Sequence, residues 1–275
     1  MYTEAFFDSL SIYLILGLIF VTILIMFECG YQLAQRFPSK QISGSISPMA
    51  TGLASLLAFI LAITFSMAAV KSGERKQLVL AEANAVGTAI LRASLLAEPY
   101  RSNSRALLRE YVTIRVVEDP EQKKAVLNQV IIDSETLHLK LWNQAIQAHD
   151  STSPELLLLY ISALNDVIDI HTERVNKGLR GRIPISIWFT LGLLTFLTVG
   201  LNGIQVGAED KGRALVAALP FALAFSLVLT LIVELDRPER SIIEISQQPL
   251  IDLRDSLDKV LYPDQQPLLP QVSKD

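Results

Sequence analysis

Four stretches of this chain, residues 10–27, 46–70, 183–208 and 214–233, contain no Asp, Glu, Lys or Arg and consist almost wholly of apolar residues. They run from 18 to 26 residues, and the hydrocarbon core of a bilayer needs about 20 helical residues to cross it. Backbone in lipid must satisfy its own hydrogen bonds, so each stretch is predicted to be a transmembrane helix. Composition agrees: 51% of residues are hydrophobic, 19% are charged and the mean hydropathy is +0.38. The first stretch has no Lys or Arg ahead of it, and Phe27-Glu28-Cys29 is not a small-residue cleavage site, so it reads as a retained span. Pro48 and Pro184 are expected at early helical positions, and Pro220 is expected to kink the fourth span modestly.

Basic residues near the span ends set the orientation. One side carries Lys71, Arg75, Lys76, Arg174, Lys177, Arg180, Arg182, Arg237, Arg240 and Arg254; the other has Arg36, Lys40, Lys211 and Arg213. Both termini and the long central segment are therefore expected in the cytoplasm of a cell whose inner (plasma) membrane holds the spans. Residues 30–47 then form an outer loop and residues 207–212 a short outer hairpin.

The central segment, residues 71–182, has apolar residues at helical spacing. Its first helix continues the second span, because no breaker separates Val70 from Glu98, and Val79, Ala83, Val86, Ile90 and Ala93 keep one face apolar. Pro99 is expected to end it. Leu107, Leu108, Tyr111 and Val112 mark a second helix. Val126, Val130, Leu137, Leu141 and Ala145 mark a third, after Pro120. A fourth has Ser153 as N-cap and Pro154 at its first position, and runs through Leu157, Tyr160, Leu164, Val167, His171 and Val175. Beyond the last span, Pro249 opens an amphipathic helix with Leu250, Leu253, Leu257 and Val260 on one face, expected to dock on the central helices. Pro263, Pro267 and Pro270 mark a loose end. The fold class is thus all-α: a first membrane pair in residues 1–70, a cytoplasmic helical region in 71–182, a second membrane pair in 183–236 and a cytoplasmic tail in 237–275.

Little in the chain converges on chemistry. A formal net charge of -4 leaves no basic excess for nucleic acid. Cys29, the one cysteine, excludes an intramolecular disulfide and multi-thiolate metal sites. Glu135 and His138 make half of a carboxylate-bridged di-metal motif, but no second copy accompanies them. His171 falls on an apolar helix face and reads as a hydrogen-bonded core histidine; a pH switch there requires a partner the sequence does not supply. His149 and Asp150 read as solvent-exposed loop residues. No phosphate loop, nucleophile elbow or Cys-His pair is present, so neither an enzyme nor a bound cofactor is expected. Glu234, Asp236 and Glu239 are too few, without loop geometry, to specify a divalent-cation site. Asp236 and Arg237 read as an ion pair at the membrane interface.

The second span is the most informative. Thr51, Ser55, Ala58, Ala62 and Ser66 form a small, weakly polar stripe, and Phe59, Ile63 and Met67 form an adjoining bulky row. Small stripes allow close helix packing. A ring of such helices would also line a central pathway, with Thr51, Ser55, Phe59, Ile63, Ser66 and Met67 facing it and the bulky row gating by dewetting. Both readings remain open from the residues alone.

Phe65-Ser66-Met67-Ala68, Arg75, the run Glu82-Ala83-Asn84-Ala85-Val86-Gly87-Thr88-Ala89-Ile90-Leu91-Arg92, Tyr111, Leu235-Asp236-Arg237-Pro238 and Ile245-Ser246-Gln247-Gln248-Pro249-Leu250 together resemble the bestrophin-like four-span bacterial membrane proteins. The resemblance extends from the first span to about Leu261. Glu239 and Arg240 depart from the Phe and Gly that usually follow Asp-Arg-Pro in that family. By a looser analogy, bestrophins are pentameric chloride channels with two spans, a helical cytoplasmic region and two more spans. The resemblance implies a homo-oligomer in the lipid bilayer, five-fold by that analogy, passing small ions. The alternative is a non-conducting, membrane-anchored helical scaffold. Selectivity is not legible, since residues 71–183 hold 15 basic and 14 acidic side chains.

Overall fold

The computed structural model describes residues 10–36, 40–117, 120–208, 215–237 and 246–261. Among these the regular structure is helical: α1 (Ile12–Arg36), α2 (Lys40–Ala93), α3 (Tyr100–Arg115), α4 (Pro120–Gln147), α5 (Pro154–Glu173), a π-helical segment (Arg174–Arg180), α6 (Ile185–Ala208), α7 (Leu215–Asp236) and α8 (Gln248–Leu261). α1, α2, α6 and α7 are each long and apolar enough to cross a membrane. The chain divides into two compact units, one made of residues 1–73 and 181–244, the other of residues 74–180 and 245–275.

In the first unit α1, α2, α6 and α7 share an apolar core that includes Ile23, Leu57, Leu61, Leu191, Val199, Ala222, Leu229 and Ile232. Glycine sets how closely α1 and α6 approach. A methyl group on Gly203 would overlap the Phe27 carbonyl, and one on Gly30 would overlap the carbonyl of Gly200. At Gly207 it would stand 2.8 Å from the Tyr31 oxygen. With no hydrophobic drive between helices in lipid, such backbone-to-backbone contact supplies the van der Waals energy that holds them.

Several chain ends of this unit are joined by polar contacts. Asp236 accepts the Ile183 N–H at 2.8 Å, Arg237 Nη1 donates to the Leu10 carbonyl at 3.1 Å, and Lys71 Nζ donates to the Arg182 carbonyl at 2.8 Å.

Two expected boundaries are corrected. Residues 30–36 and 40–47, expected in a loop, are helical: α1 continues to Arg36 and α2 already begins at Lys40, so Pro48 lies inside α2. Nor does Pro99 end α2. The helix stops at Ala93, and Ser94, Leu95 and Leu96 donate to carbonyls three residues back in a tightened last turn. The hairpin at 207–212, Val260's side chain and the proline-rich end lie wholly or partly outside the described residues.

In the second unit the later part of α2 packs with α3, α4, α5 and α8. Val86, Ala89, Ala93, Leu108, Val112, Leu141, Leu164 and Val167 are buried in one cluster. Pro154 sits at the start of α5, as its N-terminal chemistry predicts. α8 turns Leu250 and Leu257 inward and packs Leu253 against the core, while Gln247 accepts the Val117 N–H at 3.0 Å.

Candidate functional site

At about 100° per residue, the buried Ala50, Leu57, Leu61, Thr64 and Ala68 of α2 fall within one narrow arc. Thr51, Ser55, Phe59, Ala62 and Ser66 fall within another, nearly opposite, and all five are exposed. Thr51 and Ser55 each donate a hydroxyl to the carbonyl four residues back, at 3.0 and 2.9 Å, so neither leaves an unsatisfied donor. The i, i+4 spacing of Phe59, Ile63 and Met67 drifts by about 40° per step. Phe59 is therefore 62% exposed and Ile63 42%, while Met67 is only partly exposed. The face that α2 turns away from its own unit thus unites Thr51, Ser55, Phe59 and Ser66, with Ile63 at its edge and Met67 beyond it.

α7 shows the reverse arrangement. Its exposed large residues are Leu219, Leu223, Leu227, Val228 and Leu231, and its polar Ser226, Thr230 and Glu234 are buried. That is how a helix facing lipid is arranged. α2 instead exposes Thr51, Ser55 and Ser66 along one strip, flanked by the exposed Met49, Leu56 and Phe65, while Leu57, Leu61 and Thr64 are buried.

Asp236 and Arg237 are both buried, each engaged with backbone of the same unit as described above. Glu239 lies outside the described residues.

A second constellation, in the helical unit, was not assembled by sequence reasoning. Glu82 of α2 is fully buried some twelve residues past the apolar run that crosses the bilayer. It accepts from Arg115 Nε of α3 at 2.9 Å, pairs with Arg174 at the first position of the π-helical segment, and accepts the Tyr111 hydroxyl at 2.6 Å. Burial alone would raise the Glu82 pKa, but the Arg174 and Arg115 guanidiniums override it and hold it at about 2. Burial and the Glu82 charge push the Tyr111 phenol well above its usual range, so it stays protonated. His171 Nδ1 lies 3.2 Å from the same hydroxyl. The His138 ring stands edge-on to His171, with centroids 4.9 Å apart.

The signal for Glu82 was present: it lies on the face set by Val79, Ala83 and Val86, where a lone carboxylate demands a buried partner. Its partners Tyr111, Arg115 and Arg174 lie 29, 33 and 92 residues away, which spacing cannot reveal. Glu135 is exposed while His138 is buried. Among the described residues no three His, Cys, Asp or Glu side chains are grouped to hold a metal ion.

Comparison with known proteins gives the family. No curated protein matches the chain. Among solved structures it resembles one described as a membrane protein, at 14% identity and a TM-score of 0.63, covering 94% of this chain and 99% of the other. It also resembles a variant of a bacterial bestrophin homolog from Klebsiella pneumoniae, at 16% identity and a TM-score of 0.59, covering 93% and 99%. A second variant of such a homolog from the same organism matches at 14% identity and a TM-score of 0.59, covering 93% and 99%. At these identities the likeness is one of fold. Residues 17–250 match the Bestrophin-like domain, and with most of its length inside that match, this membrane protein belongs to the Bestrophin-like family.

Proposed function

We propose that the protein is an oligomeric ion channel or pore whose pathway is lined by α2. The observation that supports this most is where the hydroxyls go: α2 exposes Thr51, Ser55 and Ser66 among its outward apolar residues, whereas Ser226 and Thr230 of α7 are buried. A helix that exposes Thr51, Ser55 and Ser66 along one strip is arranged there for water or for a neighbouring subunit rather than for lipid. Several identical chains, five by the bestrophin analogy, would bring these faces around an axis. Phe59 and Ile63 then form the apolar constriction, with Met67 at its margin and Ser55 and Thr51 nearer the outer mouth.

In this reading residues 1–70 and 183–236 are the membrane pairs, residues 71–182 the cytoplasmic helical region and residues 237–275 the cytoplasmic tail, in the inner membrane of a bacterium. The ten basic residues on one side against four on the other support that orientation. Asp236 and Arg237 act as an ion pair at the inner interface. Ions are the only cargo, with no cofactor and no chemistry.

The test is ion flux in liposomes and oligomer recovery, measured on the same preparations of wild type, Phe59→Ala and Ile63→Ser. If dewetting sets the barrier, a wider or more polar ring holds water at lower cost and flux rises in both variants. Stable oligomers with unchanged flux in both would remove Phe59 and Ile63 from the pathway. They would assign the apolar row of α2 to helix packing, whereas stable oligomers with no flux in any preparation, wild type included, would favour the non-conducting scaffold.

A further inference from the structure

We propose that His138 and His171 form an acid-sensitive latch in the helical unit, which on taking up a proton releases Arg174 and loosens the π-helical segment Arg174–Arg180. The hydrogen-bond directions supply the chemistry. Tyr111 has one proton, and its 2.6 Å contact directs that proton to Glu82 Oε1. Its oxygen is then an acceptor toward His171 Nδ1 at 3.2 Å, so neutral His171 carries its proton on Nδ1. The lone pair of His171 is left on Nε2. Neither His171 Nε2 nor His138 Nε2 has a hydrogen-bond partner among the described residues, although both rings are more than nine-tenths buried. A proton arriving at His171 Nε2 becomes a buried N⁺–H with no acceptor, and protonated His138 likewise carries an Nε2–H with no acceptor, so a rearrangement must follow.

The surrounding charges fix the direction of that rearrangement. The groups acting on the histidine pair are Glu82 from α2, Tyr111 and Arg115 from α3, and Arg174 from the π-helical segment, besides the two histidines on α4 and α5. Two guanidiniums already share the single Glu82 carboxylate. An imidazolium makes a third cation around it, and the member with the most freedom to leave is Arg174, the most exposed of the three clustered partners of Glu82. It is also the first residue of the π-helical segment. A metal ion is a poorer occupant of the histidine pair, because the same guanidiniums repel it.

Burial, followed by the Arg115 charge, holds both histidines at about 4, against about 6.5 for a free imidazole. A depressed histidine pKa stabilises the closed arrangement above about 6.5 and gives that stability up as pH falls toward 4. Glu82, held at about 2, adds at most about a twofold effect above pH 4.5 by the same linkage. The window between pH 6.5 and 4.5 therefore belongs to the histidines.

The experiment is hydrogen–deuterium exchange on the full-length protein in lipid nanodiscs between pH 7.5 and 4.5, corrected for the intrinsic chemical rate. The segment 174–180 should lose protection on the order of fifty- to a hundredfold per histidine, while the α3 peptide around Leu108 changes far less. His149, the third histidine, is exposed, so His149→Gln should leave the profile unchanged. The double variant His138→Gln/His171→Gln should abolish the pH dependence. If that variant fails to fold, His138→Gln alone should cut the fold-change to the share of one histidine. Wild-type protection at 174–180 that does not vary with pH overturns the latch, as does a pH dependence that survives loss of both histidines or vanishes with His149→Gln. None of these outcomes depends on whether the protein conducts.

Discussion

On the proposed topology the two units solve the same packing problem in different solvents. In the membrane unit the seam between α1 and α6 is made of glycine: Gly30 meets Gly200, and Gly203 and Gly207 meet the backbone of Phe27 and Tyr31. In the helical unit the seams are made of Leu, Val and Tyr side chains, and its core also carries a charged cluster. Water explains the difference. Removing apolar side chains from water stabilises the helical unit by about 25 cal/mol per Å² of area buried. Lipid tails offer the membrane unit no such gain, so contact distance itself must supply the attraction. A surplus of apolar cohesion is also what allows the helical unit to tolerate Glu82, Arg115 and Arg174 in its interior.

The sharpest way to break this comparison is to add side-chain volume to the glycine seam. Gly203→Leu is expected to prevent α1 and α6 from meeting, with no monodisperse protein recovered from the membrane. Gly203→Ala, which places a single methyl against the Phe27 carbonyl, should lower the thermal midpoint in detergent by an amount equivalent to about 1–3 kcal/mol. At Gly192, on the same helix, an added methyl group would meet nothing within 4 Å. Gly192→Ala should therefore leave the midpoint unchanged or raise it slightly through helix propensity. Equal losses for Gly203→Ala and Gly192→Ala would mean that the seam is not what holds α1 to α6.

These glycines also mark the limit of sequence reading. The four spans and the inward face of α8, with Leu250, Leu253 and Leu257, were legible because apolar spacing records which residues avoid water. Helix ends near the membrane surface were not. Gln32, Gln35 and Arg36 are polar yet continue α1, since hydropathy marks the bilayer and not the helix. Pro48 signalled a start, but at the ninth position of α2 it removes one backbone donor close to the helix end and the helix begins before it. The outward row of α2 was legible as a pattern. Its separation into Phe59 and Ile63 on one side and Met67 beyond them required knowing which arc is buried. His171 was legible as a core residue, whereas its partners Tyr111 and His138 come from other helices.

An effect smaller than that of Gly203→Leu is expected from the charged cluster. Glu82→Gln leaves two guanidiniums facing a neutral amide and should cost about 3–5 kcal/mol, read as a drop in the thermal midpoint of the helical unit. Replacing all three partners, with Glu82→Leu, Arg115→Met and Arg174→Met, should cost much less. Its effect is not the sum of the single variants, because the three act as one network. A triple variant less stable than Glu82→Gln would show that the cluster stabilises the unit in its own right.

The smallest effect separates the two kinds of outward face in the membrane unit. Leu18 on α1 and Phe59 on α2 are exposed to similar extents, 53% and 62%, so truncating either to Ala removes little packing within one chain. The difference lies in what covers them. Leu18 belongs to an outward row with Leu14, Val21 and Ile25, suited to acyl chains, and Leu18→Ala exchanges one apolar surface for another. Its oligomer midpoint, measured by size exclusion across a detergent series, should match wild type. Phe59 shares its face with Thr51, Ser55 and Ser66, which lipid does not favour, so Phe59→Ala should alter a property of the assembly, either flux or subunit dissociation, while the stability of the individual chain changes by less than about 1 kcal/mol. If Phe59→Ala and Leu18→Ala behave alike in both measurements, the outward face of α2 is a lipid face like that of α1, and its hydroxyls are tolerated there because Thr51 and Ser55 already bond to their own helix.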